Sequence, residues 1–126
     1  MTNRQIKEKI VDCYKINESA ISKEQLNFIA EVIEKEQIFT DNLKEYFDKL
    51  KAGKLGQMYL KPTNFLAHFH EYFKNNLYLR YSKSEIIKDI KYIKQTKCYQ
   101  VNRIIPERFE RKYGIKSFDE LNSLKK

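Results

Sequence analysis

A chain of 126 residues with 41% hydrophobic and 33% charged side chains can bury a core without disulfide or metal staples, and it is too apolar to be disordered throughout. Three glycines and two prolines are too few for the many turns of a sandwich or barrel, so the composition points to helices with short connections. The net charge of +8 is uneven: residues 1–39 carry 6 Lys/Arg against 7 Asp/Glu, and residues 82–126 carry 12 against 6.

In chain order, Thr2-x-x-Gln5 has the pattern of a capping box that opens a helix running to about Glu18, with Ile6, Ile10, Cys13 and Tyr14 on its apolar stripe. Asn17 to Ile21 reads as a turn. Ser22-x-x-Gln25 is a second box, and Leu26, Ile29, Ala30 and Ile33 give one apolar face to about Gln37. This pair is nearly neutral and suits a scaffold or a protein-binding surface. A third helix is expected over Thr40 to Ala52, with Leu43, Tyr46, Phe47 and Leu50 inward and Gly53 as the residue that ends it.

Pro62 and Thr63 start a fourth helix, expected to reach about Arg80. Phe65, Phe69, Tyr72, Phe73 and Leu77 form its aromatic-rich stripe, which reads as the centre of the core. His68 and His70, two residues apart, point to opposite sides of a regular helix and cannot share one metal. Ser82-x-x-Glu85 is a third box, opening a helix to about Thr96 with Ile86, Ile90 and Ile93 inward. Lys88, Lys91, Lys94 and Lys97 recur every third residue along its outer side. A polar link over Gln100 to Arg103 precedes Pro106 at a helix N1 position. The short helix that follows carries Arg108, Arg111 and Lys112 around Phe109 and is ended by Gly114. Ser117-x-x-Glu120 caps a last short helix with Phe118, Leu121 and Leu124 apolar. The expected fold is all-α, one domain over residues 1–126 with five to seven helices. A near-neutral helical pair (1–39) adjoins a basic, aromatic-rich half (40–126).

Function classes narrow by absence. The chain has no nucleophile elbow, no HExxH, no carboxylate cluster and no P-loop spacing around Gly53-Lys54, so the expectation is a protein that is not an enzyme and holds no cofactor or metal. Cys13 and Cys98 lie in no CxxC pair and far from either histidine in sequence, which argues against zinc. A Cys13–Cys98 disulfide is compatible with the sequence, but two thiols in a reducing cytoplasm is the favoured reading. Neither an apolar signal segment nor an apolar run of membrane-spanning length is present, so no membrane partner and a cytoplasmic location are expected.

The positive signal is basic residues interleaved with aromatics: Tyr78-Leu79-Arg80-Tyr81, Lys91-Tyr92, Lys97-Cys98-Tyr99 and Arg108-Phe109. Cations neutralise phosphates, and an exposed Tyr can stack on an unpaired base. The candidate nucleic-acid contacts are Lys88, Lys91, Lys94, Lys97, Arg103, Arg108, Arg111 and Lys112.

Residues 38–79 carry a further pattern. An amphipathic helix (Leu43-Lys44-Glu45-Tyr46-Phe47) ends in Lys51-Ala52-Gly53-Lys54-Leu55-Gly56, followed by Gln57-Met58-Tyr59 and a helix with Phe65, Phe69 and Tyr72. This third of the chain resembles short replication-associated accessory proteins of bacterial phages and mobile elements. The resemblance implies a phage or mobile-element setting with a role in replication, and it carries over no catalytic residue. Two partners follow: nucleic acid, or a replication or other nucleic-acid-processing protein. The rival is a small inhibitor of a host nucleic-acid machine, such as a defence nuclease, acting by direct protein contact. A domain that simply forms homo-oligomers is the third reading.

Overall fold

Two complete capping boxes begin the chain: in each, the Thr2 or Ser22 hydroxyl accepts from the amide of Gln5 or Gln25, whose side chain reaches back to the cap backbone. They open α1 (Asn3–Ile16) and α2 (Lys23–Lys35) of an all-α fold. The computed structural model describes residues 1–57, 60–102 (the Cys98 side chain excepted) and 104–115. Next come α3 (Thr40–Lys51), α4 (Pro62–Asn75), a 3₁₀ turn (Leu77–Arg80), α5 (Lys83–Lys94), α6 (Lys97–Asn102) and α7 (Glu107–Tyr113), with no strand among the described residues. None of these helices is long and apolar enough to cross a membrane.

The expected inward stripes of the first four helices meet in one cluster, where α1 packs on both α2 and α3. Its centre is Tyr46, fully buried, with ring centroids 5.7 Å from Phe69, 5.3 Å from Phe73 and 4.8 Å from Tyr72. A buried phenol needs a partner, and the Tyr46 hydroxyl lies 2.9 Å from His68 Nδ1. The other ring nitrogen, Nε2, lies 3.2 Å from the Leu55 carbonyl. A carbonyl only accepts, so Nε2 carries the proton and Nδ1 accepts from Tyr46. His68 therefore pins the connection after α3 to the core, while His70 is exposed. Gly53 and Gly56, the core of the pattern in residues 51–56, adopt φ of 73° and 84° with open space where a Cβ would be. Gly53 makes the left-handed turn that ends α3, and Gly56 takes a second left-handed position in the connection that follows.

Three expectations are corrected. The fourth helix stops at Asn75, not Arg80: Asn76 leaves the helical region (φ −133°, ψ 57°) and donates its side-chain amide to the Tyr72 carbonyl at 2.8 Å. The chain after it is captured by the corner between α2 and α3. The Phe39 amide donates to the Arg80 carbonyl, Asn42 Nδ2 donates to the Leu79 and Tyr81 carbonyls at 2.7 and 2.8 Å, and Arg80 pairs with Glu36 at 2.7 Å. Secondly, the link over Gln100 to Arg103 is largely helical, since α6 covers Lys97–Asn102. Lys97 thus opens α6 and does not share a helix with Lys88, Lys91 and Lys94. Thirdly, Pro106 is the N-cap of α7, one residue before N1, with Gly114 ending that helix at φ 71°. The last expected helix, over 117–124, lies outside the described residues.

The 3₁₀ turn is the joint of the molecule. It touches α3 and α4 on one side and α7 on the other. Beyond it a second, smaller cluster gathers Ile86, Ile90, Ile93, Tyr99, Phe109, Tyr113 and Ile115.

Phe69 is fully buried, in a triangle of rings with Tyr46 and Phe73. Phe69→Ala is expected to lower the free energy of urea unfolding by about 3–5 kcal/mol. A loss below about 1 kcal/mol would show that the stripe is not the core.

Candidate nucleic-acid interface

The basic half is built on short helices. α6 and α7 have 6 and 7 residues, too few to be stable without tertiary support. Support comes from a cluster between α5 and α7. Ser82 caps α5 by accepting from the Glu85 amide at 3.1 Å, but the box expected there is only half formed. The Glu85 carboxylate does not turn back to the cap backbone; it accepts from Lys112 Nζ at 2.9 Å. Asp89, one turn on, accepts from the Tyr113 hydroxyl and lies 3.4 Å from Lys112 Nζ. That ammonium also sits 5.0 Å from the ring centroid of Tyr81 and 5.1 Å from that of Tyr113.

The electrostatics follow from these contacts. The Tyr113 hydrogen bond, with the Lys112 charge beside it, holds the Asp89 carboxyl below its ordinary range. Burial, and then the bond to Asp89, pushes the Tyr113 phenol above its ordinary value. The hydrogen bond to Glu85 raises Lys112.

The eight expected contacts divide. Lys88 and Lys91 are exposed on the outer face of α5, opposite Ile86, Ile90 and Ile93. Lys94 is half-buried, because steps of three drift around an α-helix and bring it back toward the core side. Lys97 is exposed at the start of α6. Arg108 and Arg111 are exposed on α7, and Arg111 pairs with Glu107 one turn away. Lys112 is the correction: its ammonium holds α5 to α7 and is not a freely presented cation. Arg103 lies outside the described residues. Among the described residues no ion pair engages Lys88, Lys91, Lys97 or Arg108. Of the four carboxylates on α5 and α7, three (Glu85, Asp89 and Glu107) are paired within the chain. These three carboxylates share two cations, Arg111 and Lys112, while Lys88, Lys91, Lys97 and Arg108 keep their charges outside any ion pair among the described residues.

Two concavities flank Arg108 and Lys112. One, of about 310 Å³, runs between α5 and α7 and is lined by Asp89, Tyr92, Pro106, Arg108, Phe109 and Lys112 among others. The other, of about 520 Å³, is lined by Tyr81, Glu107, Arg108, Arg111 and Lys112. Lys88, Lys91 and Lys97 line neither. Sequence reasoning placed no site residue at Tyr92, yet it is the most exposed large hydrophobic side chain described, at 71%. The other aromatics interleaved with basic residues turn inward: Tyr99 and Phe109 are buried, and Tyr78 and Tyr81 half-buried. A signal for this was present. Tyr92 falls off the Ile86, Ile90, Ile93 stripe and one turn from Lys88 on the outer face.

No group of three or more metal-ligating side chains is found among the described residues. Cys13 is a buried free thiol 3.6 Å from the Phe47 carbonyl, and burial pushes its pKa up to about 11, so its nucleophilic thiolate is suppressed. No family model, curated protein or solved structure matches the chain.

A depressed carboxyl pKa contributes stability that is present above the unfolded value and lost as pH falls through the folded one. Removing the carboxylate should therefore matter at neutral pH and not in acid. Asp89→Asn is expected to lower the unfolding temperature at pH 7, with the gap to the parent chain closing below about pH 4. A gap constant from pH 7 to pH 2 would show that Asp89 is not held ionised by Tyr113 and Lys112.

Proposed function

We propose that this chain is a non-enzymatic accessory protein that binds the phosphate backbone of nucleic acid through the outer faces of α5 to α7. One observation carries the reading: Lys88, Lys91, Lys97 and Arg108 are exposed without an ion pair among the described residues, while neighbouring carboxylates are bound to Lys112 and Arg111. Arg111 can join them, since an exposed pair one turn apart is weak and exchanges readily for phosphate. Lysines spread over a broad band suit a backbone and are poorly placed to read base edges, so binding is sequence-tolerant. The resemblance of residues 38–79 adds a phage or mobile-element setting, with replication as the process served.

The inhibitor reading rests on a different surface. Phe28 (61% exposed) and Ile16 (54%) present apolar side chains on the near-neutral pair α1 and α2, which suits a protein partner.

A salt series of fluorescence anisotropy with labelled oligonucleotides separates the two. Neutralising four phosphates gives an expected loss of affinity of roughly 50- to 150-fold between about 50 and 200 mM salt. Replacing Lys88 and Lys91 together by Glu should weaken binding strongly and leave the unfolding temperature unchanged. The salt slope should flatten by nearly one unit for each phosphate no longer neutralised. No binding at about 50 mM salt would remove the nucleic-acid reading and leave the inhibitor reading in front.

A further inference from the structure

The groove between α5 and α7 has a composition that phosphate binding does not require. Tyr92 stands at its lip, and Pro106, Phe109 and Arg108 line it. A phenol ring left 71% exposed on a helix that has a buried isoleucine stripe of its own gains nothing from the core. Its neighbours on the outer face are cations: Lys88 lies one turn before it and Lys91 immediately before it. The carboxylate that lines the same groove, Asp89, is engaged by the Tyr113 hydroxyl and the Lys112 ammonium, so part of its charge is offset within the chain. What remains is a flat aromatic face, an Arg without an ion pair among the described residues, and an apolar floor.

We infer that this groove receives an unpaired nucleobase, stacked on the Tyr92 ring with its adjoining phosphates on Arg108 and Lys88, and that the protein therefore prefers single strands. The inference rests on the nucleic-acid reading above and narrows it. In a duplex each base face is already covered by its neighbours, and uncovering one means breaking stacking and pairing. In a single strand the face is available, and each base–aromatic stack adds substantially to affinity with little regard to sequence. An acidic protein segment could satisfy the cations, but its carboxylates have no flat face to stack on the ring, whereas a strand carries a base beside every phosphate; charge complementarity and the ring together favour the strand. About 310 Å³ falls at the small end for a ligand site, which fits one base and not an extended chain.

The chain has no Trp, so Tyr92→Trp introduces a single indole at the lip of the groove. A base stacked on that indole quenches its emission. The test titrates this variant with a single-stranded DNA, an RNA of the same sequence and the corresponding DNA duplex, while anisotropy of an end-label reports binding independently. The expected result is quenching by a single strand and little by the duplex. In the otherwise unchanged chain, Tyr92→Ala should weaken single-strand binding about fivefold or more and leave duplex binding unchanged, and Tyr92→Phe, which keeps the ring, should restore it. Anisotropy that reports binding of all three ligands with no quenching, and no effect of Tyr92→Ala, would overturn the inference while the phosphate reading stands. Displacement of the labelled strand by polyglutamate as readily as by unlabelled strand would assign the groove to an acidic protein and overturn it too. Absence of binding at low salt would overturn both.

Discussion

Lys112 and Tyr113, adjacent on α7, close on two carboxylates one turn apart on α5, and the basic half of the molecule depends on that clasp. A seven-residue helix has no stability of its own, and its buried Phe109 and Tyr113 contribute only while α7 stays against α5. The same contacts decide the surface charge. By drawing Glu85 and Asp89 onto the Lys112 ammonium they offset part of the negative charge that would otherwise oppose the outward lysines and Arg108. Structural support and electrostatic polarity thus come from one set of side chains, which is why Lys112 is better understood as a positioning cation than as a contact to a partner.

The N-terminal four helices supply a stiff base for this arrangement. Their core is centred on Tyr46, whose hydroxyl is held by His68. The corner between α2 and α3 reaches out to the 3₁₀ turn through the Phe39 amide, the Asn42 side chain and the Glu36–Arg80 pair. The 3₁₀ turn in turn touches α7. A continuous path of hydrogen bonds and packing therefore links the large aromatic cluster to the small cluster beneath the basic face. The exposed apolar side chains Ile16 and Phe28 belong to α1 and α2 and not to the helices that carry the basic face, which suits a protein contact made separately from a nucleic-acid contact.

The helices were legible where local chemistry decided them. Thr2-x-x-Gln5 and Ser22-x-x-Gln25 form the boxes their spacing promises, and the stripes through Ile6, Ile29, Leu43, Phe65 and Ile86 are buried. Reading failed where a distant partner decided the outcome. Glu85 fits a capping box by spacing, but Lys112, 27 residues away, takes its carboxylate. Between Pro62 and Arg80 the local stop signal is the Asn75-Asn76 pair, which the reading passed over; Asn76 caps the helix, and the chain after it is held by Phe39 and Asn42, which contact a segment more than 30 residues later. The candidate cations were found as a group, because charge is visible in sequence. Their division into outward and clasped was not, because it depends on which carboxylate lies opposite. Tyr92 shared its local pattern with several tyrosines, and only the packing shows that it alone among them faces outward.

The central claim is that nucleic acid meets the faces of α5 to α7 and not the N-terminal pair. Its most direct test is a titration of isotopically labelled protein with a single-stranded oligonucleotide, followed by amide chemical shifts at about 50 mM salt. The account predicts shifts concentrated over residues 88–97 and 106–112, with α1 and α2 unmoved. Shifts concentrated around Ile16 and Phe28, or no shifts at saturating oligonucleotide, would contradict it.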